Sequence, residues 1–170
     1  VPPRRGRKAQ TVEADATAAI VELRRIVRFL RLADREVESA CGVSVAQLFV
    51  LHQLAATPAL SIAELATRTL TDQSSVSTVV ARLVKTGLVA RGPAQEDRRR
   101  AELRLTARGK TVLANAPEVP QVRLIETIGR MAPAQRAEVV RSLRALAEGL
   151  GAGRVQPRML FEDEAPRRRR

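Results

Sequence analysis

Between Asp72 and Thr86 the chain sets hydroxyls, an amide and cations against a regular apolar stripe. The stripe is Val76, Val79, Val80, Leu83 and Val84, at i, i+3, i+4, i+7 and i+8, the spacing of one buried helix face. Wound at about 100° per residue, Ser74, Ser75, Thr78, Arg82 and Lys85 fall on the other side. Short hydroxyl and amide groups hydrogen-bond base edges, Arg grips phosphate or guanine, and no carboxylate beyond Asp72 opposes them. Gln73, Ser74, Ser75, Ser77 and Thr78 are therefore candidates to face bases, and Arg82 to hold phosphate or guanine. Alone, the same face would read as solvated helix surface.

It is followed by a second cationic feature. Leu88–Arg91 and Glu102–Leu105 alternate apolar and polar residues as half-buried strands do. Residues 92–101, Gly-Pro-Ala-Gln-Glu-Asp-Arg-Arg-Arg-Ala, form a turn-rich tip carrying Asp97, Arg98, Arg99 and Arg100. Solvation alone would satisfy three arginines. Their place directly after a reading helix points instead to phosphate and to the narrow, negative minor groove, which takes up guanidinium groups.

Catalytic chemistry has no residues to stand on. There is no nucleophile elbow, P-loop or HExxH sequence, and Ser74, Ser75 and Ser77 are too clustered on the reading helix to suggest a nucleophile. No cofactor motif is present. His52 and Cys41 are the single His and Cys, and neither has neighbours at metal-ligand spacing. One Cys excludes an intrachain disulfide framework. No apolar run is long enough to span a bilayer, and the basic start lacks the apolar core of a signal peptide, so a soluble cytosolic protein is expected, with no membrane partner.

The elements that must position these residues are helical. Aromatics are only 2%, with Phe29, Phe49 and Phe161 and no Trp or Tyr, so the core is aliphatic. Of the formal +12, eight charges sit in Arg4, Arg5, Arg7, Lys8 and Arg167–Arg170, leaving +4 for the body. Residues 1–10 read as a disordered basic arm. Thr11 begins a long amphipathic helix in residues 11–43, where Ile20, Leu23, Val27, Leu30, Val37 and Cys41 keep a 3–4 spacing that Asp34 interrupts. Arg24, Arg25, Arg28, Arg31 and Arg35 crowd its other side and read first as a solvated face. Gly42 ends it.

Residues 44–106 then form a helix–turn–helix with a hairpin wing. Ser44–Gln47 and Ser61–Glu64 are capping boxes, with Val43/Leu48 and Leu60/Leu65 as hydrophobic staples. Arg68–Thr71 is the turn, expected to rest on Leu70 packing, and Gly87 caps the reading helix. In residues 107–150, Thr106 caps a helix that Pro117 and Pro120 break. Pro133 opens a last helix with a broad apolar side, Val139, Val140, Leu143, Leu146, Ala147 and Leu150. Apolar sides at both chain ends suit an intertwined helical dimer. Residues 151–170 read as a flexible tail with a basic end, in which Arg158–Phe161 could dock on a neighbour.

Across Ser44–Gly109 the chain resembles the MarR family of bacterial winged-helix transcription regulators. The resemblance rests on Ser44–Leu51, Glu64-Leu65-Ala66 and Arg82-Leu83 before Gly87-Leu88-Val89. Its most specific part is Asp97-Arg98-Arg99 followed by Leu103, Leu105-Thr106 and Gly109. It implies a mainly α fold with a small β-hairpin wing, flanked by terminal dimerisation helices. It implies that the helix matching Gln73–Thr86 lies in the major groove, that Arg99 enters the minor groove and that Asp97 holds it by an ion pair. It also implies a cleft for small, often phenolic, effectors. The prolines depart from the family's single long helix beside that cleft. The branch of the family with a peroxide-sensing Cys carries it near the start of the first helix, whereas Cys41 lies at the end and reads as a small buried residue.

The expected function is a homodimeric, sequence-specific regulator of double-stranded DNA, a repressor released by a small ligand, on a pseudo-palindromic operator. A cleft floored by Phe49 and His52, with Arg28 nearby, would suit a small aromatic or phenolic anion. Two other readings stay open: a non-specific architectural DNA-binding protein driven by its basic tails, and a protein-interaction module that uses the same fold without DNA.

Overall fold

A computed structural model describes residues 5–58, 60–93, 101–155 and 158–160. It is mainly helical: α1 (Arg5–Cys41), α2 (Val45–Ala56), α3 (Ile62–Thr69), α4 (Gln73–Lys85), α5 (Ala107–Ala114), α6 (Pro120–Arg130) and α7 (Pro133–Gly149). Strands β1 (Val89–Pro93) and β2 (Ala101–Leu105) pair antiparallel, from Val89 opposite Leu105 to Pro93 opposite Ala101. Backbone pairing of Leu60 with Leu103 ties the hairpin to the segment before α3.

The core lies among α2, α3, α4 and the hairpin. Leu48, Phe49, Leu51, Leu65, Val76, Leu83 and Leu103 are buried there, an aliphatic interior with one aromatic ring among the described residues. Both capping boxes form: the Ser44 and Ser61 hydroxyls accept the Gln47 and Glu64 N–H, and the Gln47 and Glu64 side chains accept the Ser44 and Ser61 N–H in return. Each satisfies two helix N–H groups that would otherwise lack partners.

α3 and α4 end in the same six-to-one motif. At α4, Leu88 N–H donates to Leu83 C=O and Gly87 N–H to Val84 C=O, with Gly87 at φ 72°. At α3, Thr71 N–H donates to Ala66 C=O and Leu70 N–H to Thr67 C=O, and Leu70 takes the left-handed position at φ 56°. A β-carbon there is normally avoided. The expectation that Leu70 packs to support the turn is corrected: its side chain is 77% exposed. The support comes from Thr69, which is buried and donates its hydroxyl to Leu65 C=O at 2.9 Å.

Three further differences have physical reasons. α1 starts at Arg5, not Thr11, so residues 5–10 of the supposed disordered arm are helical. They are mostly good helix formers, and the prolines precede them. Asp34, which breaks the apolar stripe, is only 4% exposed and accepts the Val45 N–H at 3.1 Å. It thus anchors α1 to the positive end of α2. In the tail, Met159 is 4% exposed and belongs to the same apolar cluster as Val119, so this segment docks on its own chain.

Pro117 lies in the connection between α5 and α6, and Pro120 opens α6 at a position that needs no N–H. Leu23, Ile26 and Phe29 of α1, Leu124 and Ile125 of α6, and Val140, Leu143 and Leu146 of α7 all remain exposed. Among the described residues no single helix is long and apolar enough to cross a membrane.

Candidate nucleic-acid interface

α4 is held by one face and offers the other. Val76, Val79, Val80 and Leu83 are buried against the core, while Val84, expected in that stripe, is half exposed at its rim. Gln73, Ser74, Ser77, Thr78 and Arg82 are exposed together along the opposite side. Thr78 returns its hydroxyl to Ser74 C=O at 3.1 Å, and the Ser77 hydroxyl makes no hydrogen bond among the described residues. An unengaged hydroxyl on this exposed side is free to meet a base edge or phosphate.

Ser75 does not belong to that face. It is 2% exposed, its N–H donates to Asp72 Oδ1 at 2.9 Å and its hydroxyl to Asp72 Oδ2 at 2.8 Å. Its expected role at the bases is corrected to that of a capping partner. An ideal 100° winding misjudges the first turn, where the chain bends into the N-cap and short polar groups turn inward to satisfy it. Ser74 also donates its hydroxyl to Asp72. The Ser74 hydroxyl, then the Ser75 N–H and hydroxyl, hold the Asp72 carboxyl well below the usual carboxylate range. Asp72 is thereby a committed cap whose charge sits at the positive end of α4.

The hairpin follows α4 at once and is locked at its base. Thr106 N–H donates to Leu88 C=O at 3.1 Å, and the Thr106 hydroxyl donates to Gly87 C=O at 2.8 Å and accepts Gly109 N–H at 3.0 Å. Gly109 packs so closely that a Cβ on it would overlap the Leu88 carbonyl oxygen. This contact explains why a glycine follows Leu-Thr at that spacing. Asp97, Arg98, Arg99 and Arg100 lie outside the described residues.

A helix with a buried back and a polar front, joined to a β-hairpin, is the geometry that known DNA-reading proteins share. A model of the MarR family matches residues 42–100. The HTH-type transcriptional repressor Rv2887 of Mycobacterium tuberculosis is 30% identical over 108 residues, 64% of this chain and 78% of that protein. The chain belongs to the MarR family. Among solved structures, Sco3205 of Streptomyces coelicolor, a MarR regulator in complex with DNA, is 28% identical with TM-score 0.54, covering 81% of this chain and 88% of that one. BpsR of Bordetella bronchiseptica, whose DNA binding is regulated by 6-hydroxynicotinic acid, is 29% identical with TM-score 0.51, covering 74% and 90%. This MarR chain is accordingly a DNA-binding transcription regulator and not an enzyme.

Phe49, His52 and Arg28 do not share a wall in either of two grooves on the chain. Phe49 is fully buried in the core. His52 is half-buried, and its Nδ1 has no hydrogen-bond partner among the described residues. Arg28 lies on α1, in a groove of about 560 Å³ whose walls are Leu23, Arg24, Val27, Arg28, Arg31, Leu32 and Arg35. A second cavity, about 510 Å³, opens between the end of α2, β2 and α5. Neither has Phe49 or His52 in its wall. Burial pushes the Cys41 thiol up, which lowers its thiolate fraction and with it its nucleophilicity. Asp34, which sequence reasoning saw only as a gap in a stripe, is the polar group that joins α1 to this DNA-binding unit.

Proposed function

We propose that this MarR regulator is a homodimeric repressor that reads a pseudo-palindromic operator and is released by a small ligand. The observation that carries the reading is the exposed row Gln73, Ser74, Ser77, Thr78 and Arg82 on a helix whose back is fully committed to the core. In this reading that row enters the major groove, while Arg98, Arg99 and Arg100 follow the adjacent backbone and minor groove, Arg99 deepest, with Asp97 holding it. Repression is supported by the named relative, which is a repressor. Ligand release is supported by BpsR. Dimerisation is supported by the uncovered apolar residues of α1, α6 and α7, which a second copy would bury. Two reading helices about 34 Å apart would then address successive turns of one duplex.

The test is a gel shift on the regulator's upstream intergenic DNA at several salt concentrations. Ser77→Ala should cut the preference for operator over random DNA by about tenfold, within the usual worth of one base contact. Arg99→Ala should weaken binding and lower the salt slope by about one. Unchanged binding in both folded variants would refute the assignment. Deleting residues 1–10 and 167–170 should leave the operator preference standing; loss of most binding would favour an architectural protein.

A further inference from the structure

We infer that a cationic strip along α1 is the docking site of the chain's own acidic segment, Phe161–Glu164. In sequence Arg24, Arg28, Arg31 and Arg35 read as a solvated face; in the structure they line one groove. At about 100° per residue the four fall within a strip about 60° wide, and at about 1.5 Å per residue they run for about 17 Å. Spacings of three and four residues set each guanidinium beside the next, which weakens a helix by like-charge repulsion. Arg25, outside the strip, pairs with Glu22 at 3.1 Å, whereas none of the four has an ion pair among the described residues. Val27 and Leu32 bank the strip about 70° to either side, and both are exposed. Such a surface calls for a partner that brings carboxylates and an apolar side together.

The sequence holds one stretch of that kind. Glu162-Asp163-Glu164 is the sole run of three acidic residues in a chain of net charge +12, and Leu160 and Phe161 directly precede it. Spread over about 7 Å of extended chain, the three carboxylates meet arginines about 4.5–6 Å apart along the helix, so two or three ion pairs form together. One exposed pair contributes little, but several sharing a strip make a network. A nucleic-acid backbone would leave Val27 and Leu32 wet, whereas Phe161 covers apolar surface as the acids pair. Chain length fits as well. Met159 is 4% exposed in the apolar cluster that also holds Val37 of α1. Residues 160–164 span up to about 17 Å. Counted from Val37, Arg35, Arg31 and Arg28 lie about 3, 9 and 14 Å along the helix. Ile26 and Phe29 point about 130° or more away from the strip, so a docked tail leaves them for a second copy.

Disulfide trapping in the full-length chain tests this, because Cys41 is the single cysteine and Cys41→Ser gives a clean background. Leu32→Cys with Ala165→Cys leaves every charge in place. Mild oxidation should join the two within one chain, seen as a faster band on a non-reducing gel. Ala63→Cys with Ala165→Cys, which uses an exposed position on α3, should give no such band. Adding Arg28→Gln and Arg31→Gln should slow trapping at Leu32 about fivefold, as the loss of two exposed ion pairs would. Glu162→Gln, Asp163→Asn and Glu164→Gln together should slow it as much, and so should about 0.5 M salt. Equal trapping at Leu32 and Ala63, or a rate indifferent to both sets of charges, would overturn the site. Cross-linked dimers in place of the internal disulfide would overturn docking on the same chain and assign the strip to the tail of a second copy.

Discussion

Replacing Gly109 by Ala should destabilise the protein, although the residue lies in a helix. Propensity alone favours Ala over Gly by about 1 kcal/mol in a helix interior. Here the added Cβ would run into the Leu88 carbonyl oxygen and come within 3.1 Å of its carbon, both backbone atoms that cannot rotate away. Forcing a group into a packed site costs about 1–3 kcal/mol. The displaced carbonyl also accepts Thr106 N–H at 3.1 Å and the Thr106 hydroxyl at 3.2 Å, and each such bond contributes about 1 kcal/mol. The clash and weakened bonds outweigh propensity, for a net loss of about 2–3 kcal/mol. In a chain of this length that lowers Tm by about 4–12 °C. Gly129 in α6 is the control, because nothing lies within 4 Å of its Cβ position. Gly129→Ala should be neutral or stabilise by up to about 1 kcal/mol. Thermal melts followed by circular dichroism decide it. If both substitutions raised Tm, the close approach of α5 to the wing base would be wrong.

Other perturbations separate the remaining claims. Leu70→Gly should raise stability by about 1 kcal/mol in urea melts, because it relieves a left-handed residue whose side chain is largely exposed; a loss of stability would mean that Leu70 packs after all. Asp34→Ala should cost about 2 kcal/mol by stranding the buried Val45 N–H, and Asp34→Asn, which keeps an acceptor, should cost less; equal and negligible effects would dismiss the anchor. Asp72 has a folded-state pKa below its unfolded value, so its stabilisation is present above roughly pH 4 and fades as pH falls through the folded value. Asp72→Asn should therefore flatten the acid limb of a stability-against-pH curve, and an unchanged limb would contradict the cap.

Much of this architecture could be read before the coordinates because it is written in local rules. Ser44 with Gln47 and Ser61 with Glu64 announce helix starts by reciprocal hydrogen bonds, and Pro133 begins a helix where a missing N–H costs nothing. What escaped depends on tertiary placement. Ser75 and Ser77 are the same residue type two positions apart, and only the Asp72 cap turns one inward. Leu70 gives no sign in sequence of a conformation that usually recruits glycine, since its neighbours impose it. Asp34 looked like an interruption until α2 brought its N-terminus to it. Met159 lies beyond the last periodic helix, so no pattern tied it to the core. Phe49 and Arg28 were expected in one cleft; Phe49 is buried in the core, and Arg28 lines a groove on α1.

The central claim is that two copies of the α4 face and wing touch neighbouring grooves of one duplex. Hydroxyl-radical footprinting of the protein on its upstream DNA measures this directly. The account predicts two symmetry-related sets of protections centred about one helical turn apart, with each inner set shrinking in Ser77→Ala. A single unspaced block that follows the protein onto any DNA, unaltered by that substitution, would contradict it.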